Sequence, residues 1–290
     1  MPNDGGARRA RGALFWPALG LSLLALAAAV VPALAPPDAQ AIGDVLARRL
    51  VAPGARDAHG TWHPLGTDAF GRDLLVRALA AARLSLAVGV GGSVLSGALG
   101  TALGAVAAWR GGIADRAITA LADVLLAVPR IVLLLVVAAL WGPGVGTTVA
   151  VLALTGWMGV ARLVRAEALG VVRTEYVTAA ATLGARPSRV LWRHVVPNAL
   201  GAATVATALG VGNAVLLESG LSFLGLGVQP PAPSWGNLIA GGRDLLIVAP
   251  WVSLVPGALL IGTVLACTLI GDALQDRVAR GDVRVSGRGS

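Results

Sequence analysis

Apolar residues gather along the chain into six long runs: Ala13–Leu34, Leu84–Ala108, Ile118–Leu140, Thr147–Leu169, Ala199–Leu217 and Leu246–Ile270. A membrane-crossing helix needs about 20 consecutive apolar residues, and each run approaches or exceeds that length. The first run follows Arg8, Arg9 and Arg11, as a signal peptide would. It is long for a signal core and predicts an uncleaved span. The fifth and sixth are frayed by glycine, which membrane helices tolerate better than soluble ones. Polar stretches separate the runs. The longest, Ala35–Ala82, is marked by turn signals at Pro36, Pro37, Pro53 and Gly54.

The pattern predicts an all-α polytopic membrane protein with about six transmembrane helices. Its parts are a head at 1–12, a first span at 13–34, an outer loop with an interfacial segment at 35–82, a five-helix core at 83–275 and a tail at 276–290. Composition agrees. The 290 residues are 56% hydrophobic and only 13% charged, about half the charged share of a soluble domain, and the mean hydropathy is +0.77. A soluble globular domain has too little interior for so many apolar side chains. A disordered chain needs low hydrophobicity.

The 23 basic residues are all arginine, against 15 acidic ones, for a net charge of +8. Basic balance can mark nucleic-acid binding, but in an apolar chain it marks cytoplasmic loops. With the N-terminus inside, fifteen arginines fall on the cytoplasmic side: Arg8, Arg9, Arg11, Arg110, Arg116, Arg162, Arg165, Arg173, Arg186, Arg189, Arg193, Arg277, Arg280, Arg284 and Arg288. Six fall outside, Arg48, Arg49, Arg56, Arg72, Arg77 and Arg243, with Arg83 near a boundary. Both termini are therefore predicted to be cytoplasmic in a multi-pass protein of the cell membrane. The absence of lysine excludes a Walker A phosphate loop, which needs one. The single cysteine, Cys267, cannot form an internal disulfide.

The segment Glu175–Pro197 reads as helix, break, helix. Ala179, Ala180 and Ala181 make a compact face, Gly184 can end the first helix in a left-handed turn, and Pro187 suits the first turn of the second. Small residues permit close approach of a partner's backbone, with Arg186, Arg189 and Arg193 alongside. The same segment read as an amphipathic helix would lie on the inner leaflet, arginines toward lipid phosphates.

The spacing Thr178-Ala-Ala-x-x-x-Gly184, then Pro197, resembles the EAA loop of ABC importer permeases. The family's acidic first position is Thr178 here, with Glu175 nearby. Further stretches resemble the dipeptide/oligopeptide/nickel permeases, and the C-type subunit in particular. They are His63–Arg77 before the second span, Asp123–Pro129 and Gly142-Pro-Gly144 around the third, Gly156–Arg165 in the fourth, and Glu218–Gly236 in the fifth span and its loop. The resemblance implies the type I ABC importer permease fold. It makes Glu175, Thr178, Ala179, Ala180, Gly184, Arg186 and Pro197 an ATPase-coupling loop. It also implies three kinds of partner besides the lipid bilayer: a homologous B-type permease subunit, one or two ABC ATPase subunits, and an extracytoplasmic substrate-binding protein. ATP and Mg would be bound by the ATPases, with no cofactor and no catalytic residue in this chain. Peptides are the expected cargo. Alternatives are nickel transport by the same family and an ATPase-independent secondary transporter or channel.

Individual residues admit two readings each. Asp68, Arg72 and Asp73, with Gly66 and Gly71, are either a capped, ion-paired helix start or an outer gate that meets the binding protein. Trp235, after the rigid Gln229–Ser234 stretch, is either an interface anchor or part of the same docking surface. Arg130, after Pro129, and Glu218 lie in apolar runs, where charge is costly and tends to face a cavity. Each either lines the pathway or meets a partner subunit or headgroup. His59, His63 and His194 do not assemble a metal site: Gly60 and Pro64 break the helix that a four-residue spacing would need.

Overall fold

The computed structural model describes residues 4–36 and 39–286, with side chains for all of these except 4–13, 178, 181, 187, 188 and 279–286. The side chains of Arg8, Arg9, Arg11, Thr178, Arg280 and Arg284, and all of Arg288, therefore lie outside the described residues. Apart from two isolated antiparallel bridges, the regular elements among the described residues are helical. In order they are α1 (Asp4–Leu34), α2 (Val45–Arg48), α3 (Leu74–Arg110), α4 (Gly112–Ala127), α5 (Arg130–Trp141), α6 (Val145–Val172), α7 (Glu175–Thr182), α8 (Pro187–Val190), α9 (Val196–Phe223), α10 (Trp235–Gly242) and α11 (Trp251–Ser286). Among the described residues five helices are long and apolar enough to cross a membrane, or six spans if α4 and α5 count together.

Helix α3 is the centre of the bundle, and its small residues explain why. Along it, Gly92, Ser96, Gly100 and Gly104 recur at four-residue steps and so share one face. That face meets α6: a Cβ at Gly100 would lie 2.6 Å from the Trp157 carbonyl oxygen, and one at Gly92 would lie 2.8 Å from Leu152 Cβ. A second stripe, Gly89, Ser93 and Gly97, meets α9 at Val215 and Thr207. The Ser93 hydroxyl donates to the Thr207 carbonyl at 2.7 Å. Lipid tails are as apolar as leucine, so no hydrophobic force drives spans together; close backbone packing over small residues does. Around this centre, Val160, Val164 and Ala168 of α6 pack with Ala105 and Ala108 of α3 and Ala199 and Ala203 of α9.

Several boundaries depart from the hydropathy runs. Helix α3 begins at Leu74, ten residues before the apolar run. Leu74, Ala78, Ala81 and Ala82 are buried, and the Asp73 carboxylate accepts the Val76 N–H at 3.1 Å as an N-cap. The third run is no straight span. Val128 is extended, Pro129 precedes α5, and the two helices meet at 93°, because the residue before proline is pushed out of the helical region. Two arginines of α6 hold α4 in place: Arg165 pairs with Asp115 at 2.6 Å, and Arg162 pairs with Asp123. The sixth span starts at Trp251, since Leu246–Pro250 form a turn and Ile247 is 98% exposed. Helices α8 and α9 are continuous through a π turn, Leu191–Val195. Pro197 lacks the N–H for its own helical bond, a defect that a local widening of the helix accommodates.

The loops gather at two ends. At one, the Trp251 indole donates to the Thr67 carbonyl at 3.2 Å and the Trp235 indole donates to the Ala78 carbonyl at 3.1 Å. At the other, α7 and α8 project beyond the ends of α6 and α9. Helix α1 lies outside the bundle: only 6% of its apolar window is buried, with Ala28 seated against Ala81 and Ala82.

Gly100→Val should cost about 3 kcal/mol of stability through overpacking, read as unfolding in mixed micelles by circular dichroism. Gly170→Val, where an added Cβ meets nothing within 4 Å, is the matched control and should unfold nearly as wild type does.

Candidate functional site: a cavity between a polar cap and an exposed knob

A polar cap is built from residues 44–73. Thr67 is its hub. Its hydroxyl donates to the Arg48 carbonyl at 2.5 Å and accepts the Val51 N–H at 2.8 Å. Asp57, wholly buried at its side chain, accepts the amides of Thr61 at 2.8 Å and His59 at 2.9 Å, with Arg48 Nε 3.0 Å away. Burial opposes ionisation, but the Thr61 amide, the His63 ring, the His59 amide and Arg48 together hold this carboxyl below its usual range. His63 bridges the cap to α3: Nδ1 lies 2.7 Å from Asp73 and Nε2 3.3 Å from Asp57. Asp68 pairs with Arg72 at 2.7 Å and with Arg77 at 3.5 Å.

Residues that the sequence offered for an outer gate or a binding-protein contact lie inside this network. Asp68 and Asp73 are only 5% and 8% exposed, and both are turned inward: Asp73 caps α3, while Asp68 accepts the amides of Phe70 and Arg72. Trp235 is no interface anchor. It is fully buried, because its indole finds the Ala78 carbonyl and its amide the Ser85 hydroxyl at 3.3 Å.

Glu218, in α9, is also fully buried and does not line the cavity described below. Its carboxylate accepts from Ser222 at 2.7 Å and Ser219 at 3.2 Å, with the hydroxyls of Ser85 and Ser234 bonded to it as well. Ser234 is the N-cap of α10, where it accepts the Asn237 N–H at 3.3 Å. Glu218 thus caps α10 indirectly: two serines stand between its charge and the helix N-terminus, where negative charge is favoured. Ser222 also accepts the Val228 N–H at 3.0 Å, which ties down the loop after α9.

Between these layers lies a cavity of about 290 Å³. Its walls come from the middles of three spans: Ser93 and Ser96 of α3, Gly156 and Gly159 of α6, Thr207, Gly210 and Asn213 of α9. Arg130, the first residue of α5, reaches into it from the helix break. Its contacts are long, 3.4 Å to the Thr155 hydroxyl and 3.5 Å to the Leu152 carbonyl. Gly156 gives it room: a Cβ there would lie 3.0 Å from Nη2. A guanidinium at mid-membrane costs roughly 3 kcal/mol on insertion scales, so its place beside a polar cavity is physically required.

At the far end, α7 is followed by Gly184 in the left-handed region at φ 82°, with the Ala185 N–H bonded to the Ala180 carbonyl at 3.1 Å. Glu175, Ala179, Gly184, Arg186 and Pro197 are exposed and Ala180 half-buried. Leu183, at 88% exposure, and Tyr176, at 48%, stand out into solvent.

Residues 100–281 match the family described as the binding-protein-dependent transport system inner membrane component. The chain belongs to this family. It is a multi-pass membrane permease. A Brucella suis protein provisionally named a peptide permease is 41% identical over 225 residues, 77% of this chain and 74% of its own. The dipeptide transport system permease protein DppC of Bacillus subtilis is 39% identical over 74% of this chain and 67% of its own. The oligopeptide permease OppC of the same organism is 38% identical over 74% and 70%. A chain of the inward-facing MetNI methionine ABC transporter superposes with a TM-score of 0.52 at 21% identity, covering 72% of this chain and 95% of that one; that likeness is one of fold.

Sequence reasoning about this permease missed the cap's His63–Asp57 link and the serines around Glu218. The spacing Glu218, Ser219, Ser222 was visible, but Ser85 is 133 positions away and only folding brings it there. Among the described residues no group of three His, Cys, Asp or Glu side chains converges to hold a metal ion.

Two outcomes follow. Asp57 has a lowered folded value, so its contribution is complete above the ordinary 3.8 and is lost as pH falls through that lowered value. Hydrogen-exchange protection of residues 51–67 should hold from neutral pH down to about pH 4 and fall below it, and Asp57→Asn should weaken it at neutral pH and remove that acid step. Glu218→Ala leaves four hydroxyls short of an acceptor and should cost about 3 kcal/mol, seen as protease cutting within 224–242; Glu218→Gln, which keeps one oxygen, should be cut more slowly.

Proposed function

We propose that this chain is the C-type permease subunit of an ATP-driven importer that carries peptides across the cytoplasmic membrane, with both termini in the cytoplasm. The observation that carries the reading is the α7–α8 knob, which presents exposed Leu183 and Tyr176 beside a tight glycine turn. Large apolar side chains in solvent at such a prominence fit a partner's groove. The partner is an ABC ATPase, one or two kinds per transporter, which binds ATP and Mg; lysine-free, this chain carries no ordinary phosphate loop. A homologous B-type permease completes the path, and an extracytoplasmic binding protein delivers the cargo to the outer side.

The knob is wired to the bundle. Leu191 and Val195, just beyond α8, pack on Val164 and Ala168 of α6 and on Ala105 and Ala108 of α3. Movement of the knob driven by ATPase closure therefore shifts α9 against α3, around the cavity that Arg130 lines. Transport of this kind rests on differential packing of two states and needs no covalent step in the permease. Peptide cargo is favoured over nickel by the names of the relatives and by His63, whose two ring nitrogens are both occupied by carboxylates.

Leu183→Asp tests the knob with little risk to the fold, since that side chain is almost wholly in solvent. Co-purification of ATPase subunits should drop about ten-fold or more, equivalent to about 1.4 kcal/mol, while membrane insertion stays unchanged. Full recovery of ATPase with this variant would sink the docking assignment.

A further inference from the structure

We propose that Arg130 is a carboxylate-binding station in the transport path and engages the free C-terminal carboxylate of a passing peptide. The proposal rests on the importer reading above and adds a chemical feature of the cargo to it. The cavity lies at the mid-length of α3, α6 and α9, where a permanent positive charge most needs a counter-charge. Among the described residues no carboxylate pairs with Arg130; its neighbours are a hydroxyl and a carbonyl at the limit of hydrogen bonding. Every other polar group on the cavity wall is neutral: Ser93, Ser96, Thr207 and Asn213.

Two features make this a site rather than a stray charge. Gly156 keeps clear the space into which the guanidinium extends, since a Cβ would press on both Arg130 and Ser96. The Ser93 and Ser96 hydroxyls spend their protons on backbone carbonyls, at 2.7 and 2.9 Å, so they do not compete to donate to an anion. The guanidinium thus remains the strong donor in the cavity, and its planar fork matches a carboxylate in bidentate fashion. Because its present contacts are long, they are easily exchanged, which suits a station that must also release its cargo.

Phenylglyoxal condenses with guanidinium groups, so it reports on Arg130 directly. The purified permease–ATPase complex in nanodiscs is treated with it, and modification of Arg130 is followed by mass spectrometry, with exposed Arg116 as the reference. N-acetyl-dialanine is the probe, and its C-terminal amide is the neutral twin. The acid should slow modification of Arg130 about three-fold when present at twice its Kd, the amide should leave it unchanged, and Arg116 should respond to neither. Equal slowing by both probes, slowing by neither, or an Arg130 that is never modified overturns the proposal. The last outcome would mean a sealed side chain or one already neutralised by a partner subunit's carboxylate. In uptake assays, Arg130→Gln should lower entry of free peptides about ten-fold with ATPase recovery unchanged, and Arg130→Lys, a point charge without the fork, should fall between. If the importer reading itself failed, no ATPase would co-purify and wild type would take up no peptide, results separate from the labelling contrast.

Discussion

The approach of α3 to α6 and α9, backbone nearly against backbone, is the constraint from which the rest of the bundle follows. Gly92, Gly100 and Gly104 on one face and Gly89 and Gly97 on the other remove the side chains that would hold these helices apart. In a membrane this close contact substitutes for the hydrophobic effect. It fixes α3 as the central rod. It also stiffens the connection between the knob and the polar cap, since the knob is built on helices that grip α3 and the cap sits on the end of α3.

The same small residues create the cavity. Serine and glycine at positions 93, 96, 156, 159 and 210 pack closely where they meet backbone and leave space where they do not. Pro129 adds the second element. By breaking the third apolar run it turns α5 away from α4 and starts the new helix with Arg130, aimed at that space. A charge that a continuous lipid-facing helix could hardly tolerate is thereby given a polar surrounding. The site is thus a joint product of helix packing and one backbone break.

Burial of polar groups follows a single rule at the cap end. Asp57, Asp68, Asp73 and Glu218 are each shielded from water, and each accepts several hydrogen bonds or ion pairs. A buried carboxylate without such partners would be prohibitive. The satisfied network instead gives the cap a defined shape on the end of α3, and through Glu218 it fixes α10 and the loop before it. These buried carboxylates therefore hold the cap in place from beneath.

Much was legible in the residues alone. Long apolar runs require spans because an unsatisfied backbone cannot enter lipid, and the Gly184 turn and the Pro187 helix start are local signals that folding kept. The start of α3 was hidden by Arg77, a charge that reads as outside until Asp68 is seen beside it. The fate of Trp235 and Glu218 was equally hidden, because their partners Ala78 and Ser85 lie more than a hundred residues away. The sequence by itself determined which segments are helical and membrane-bound, since hydropathy and proline act over a few residues. Only the tertiary structure decided which carboxylates are paired and that Arg130 faces an open cavity, because pairing depends on distances between helices that no local pattern encodes.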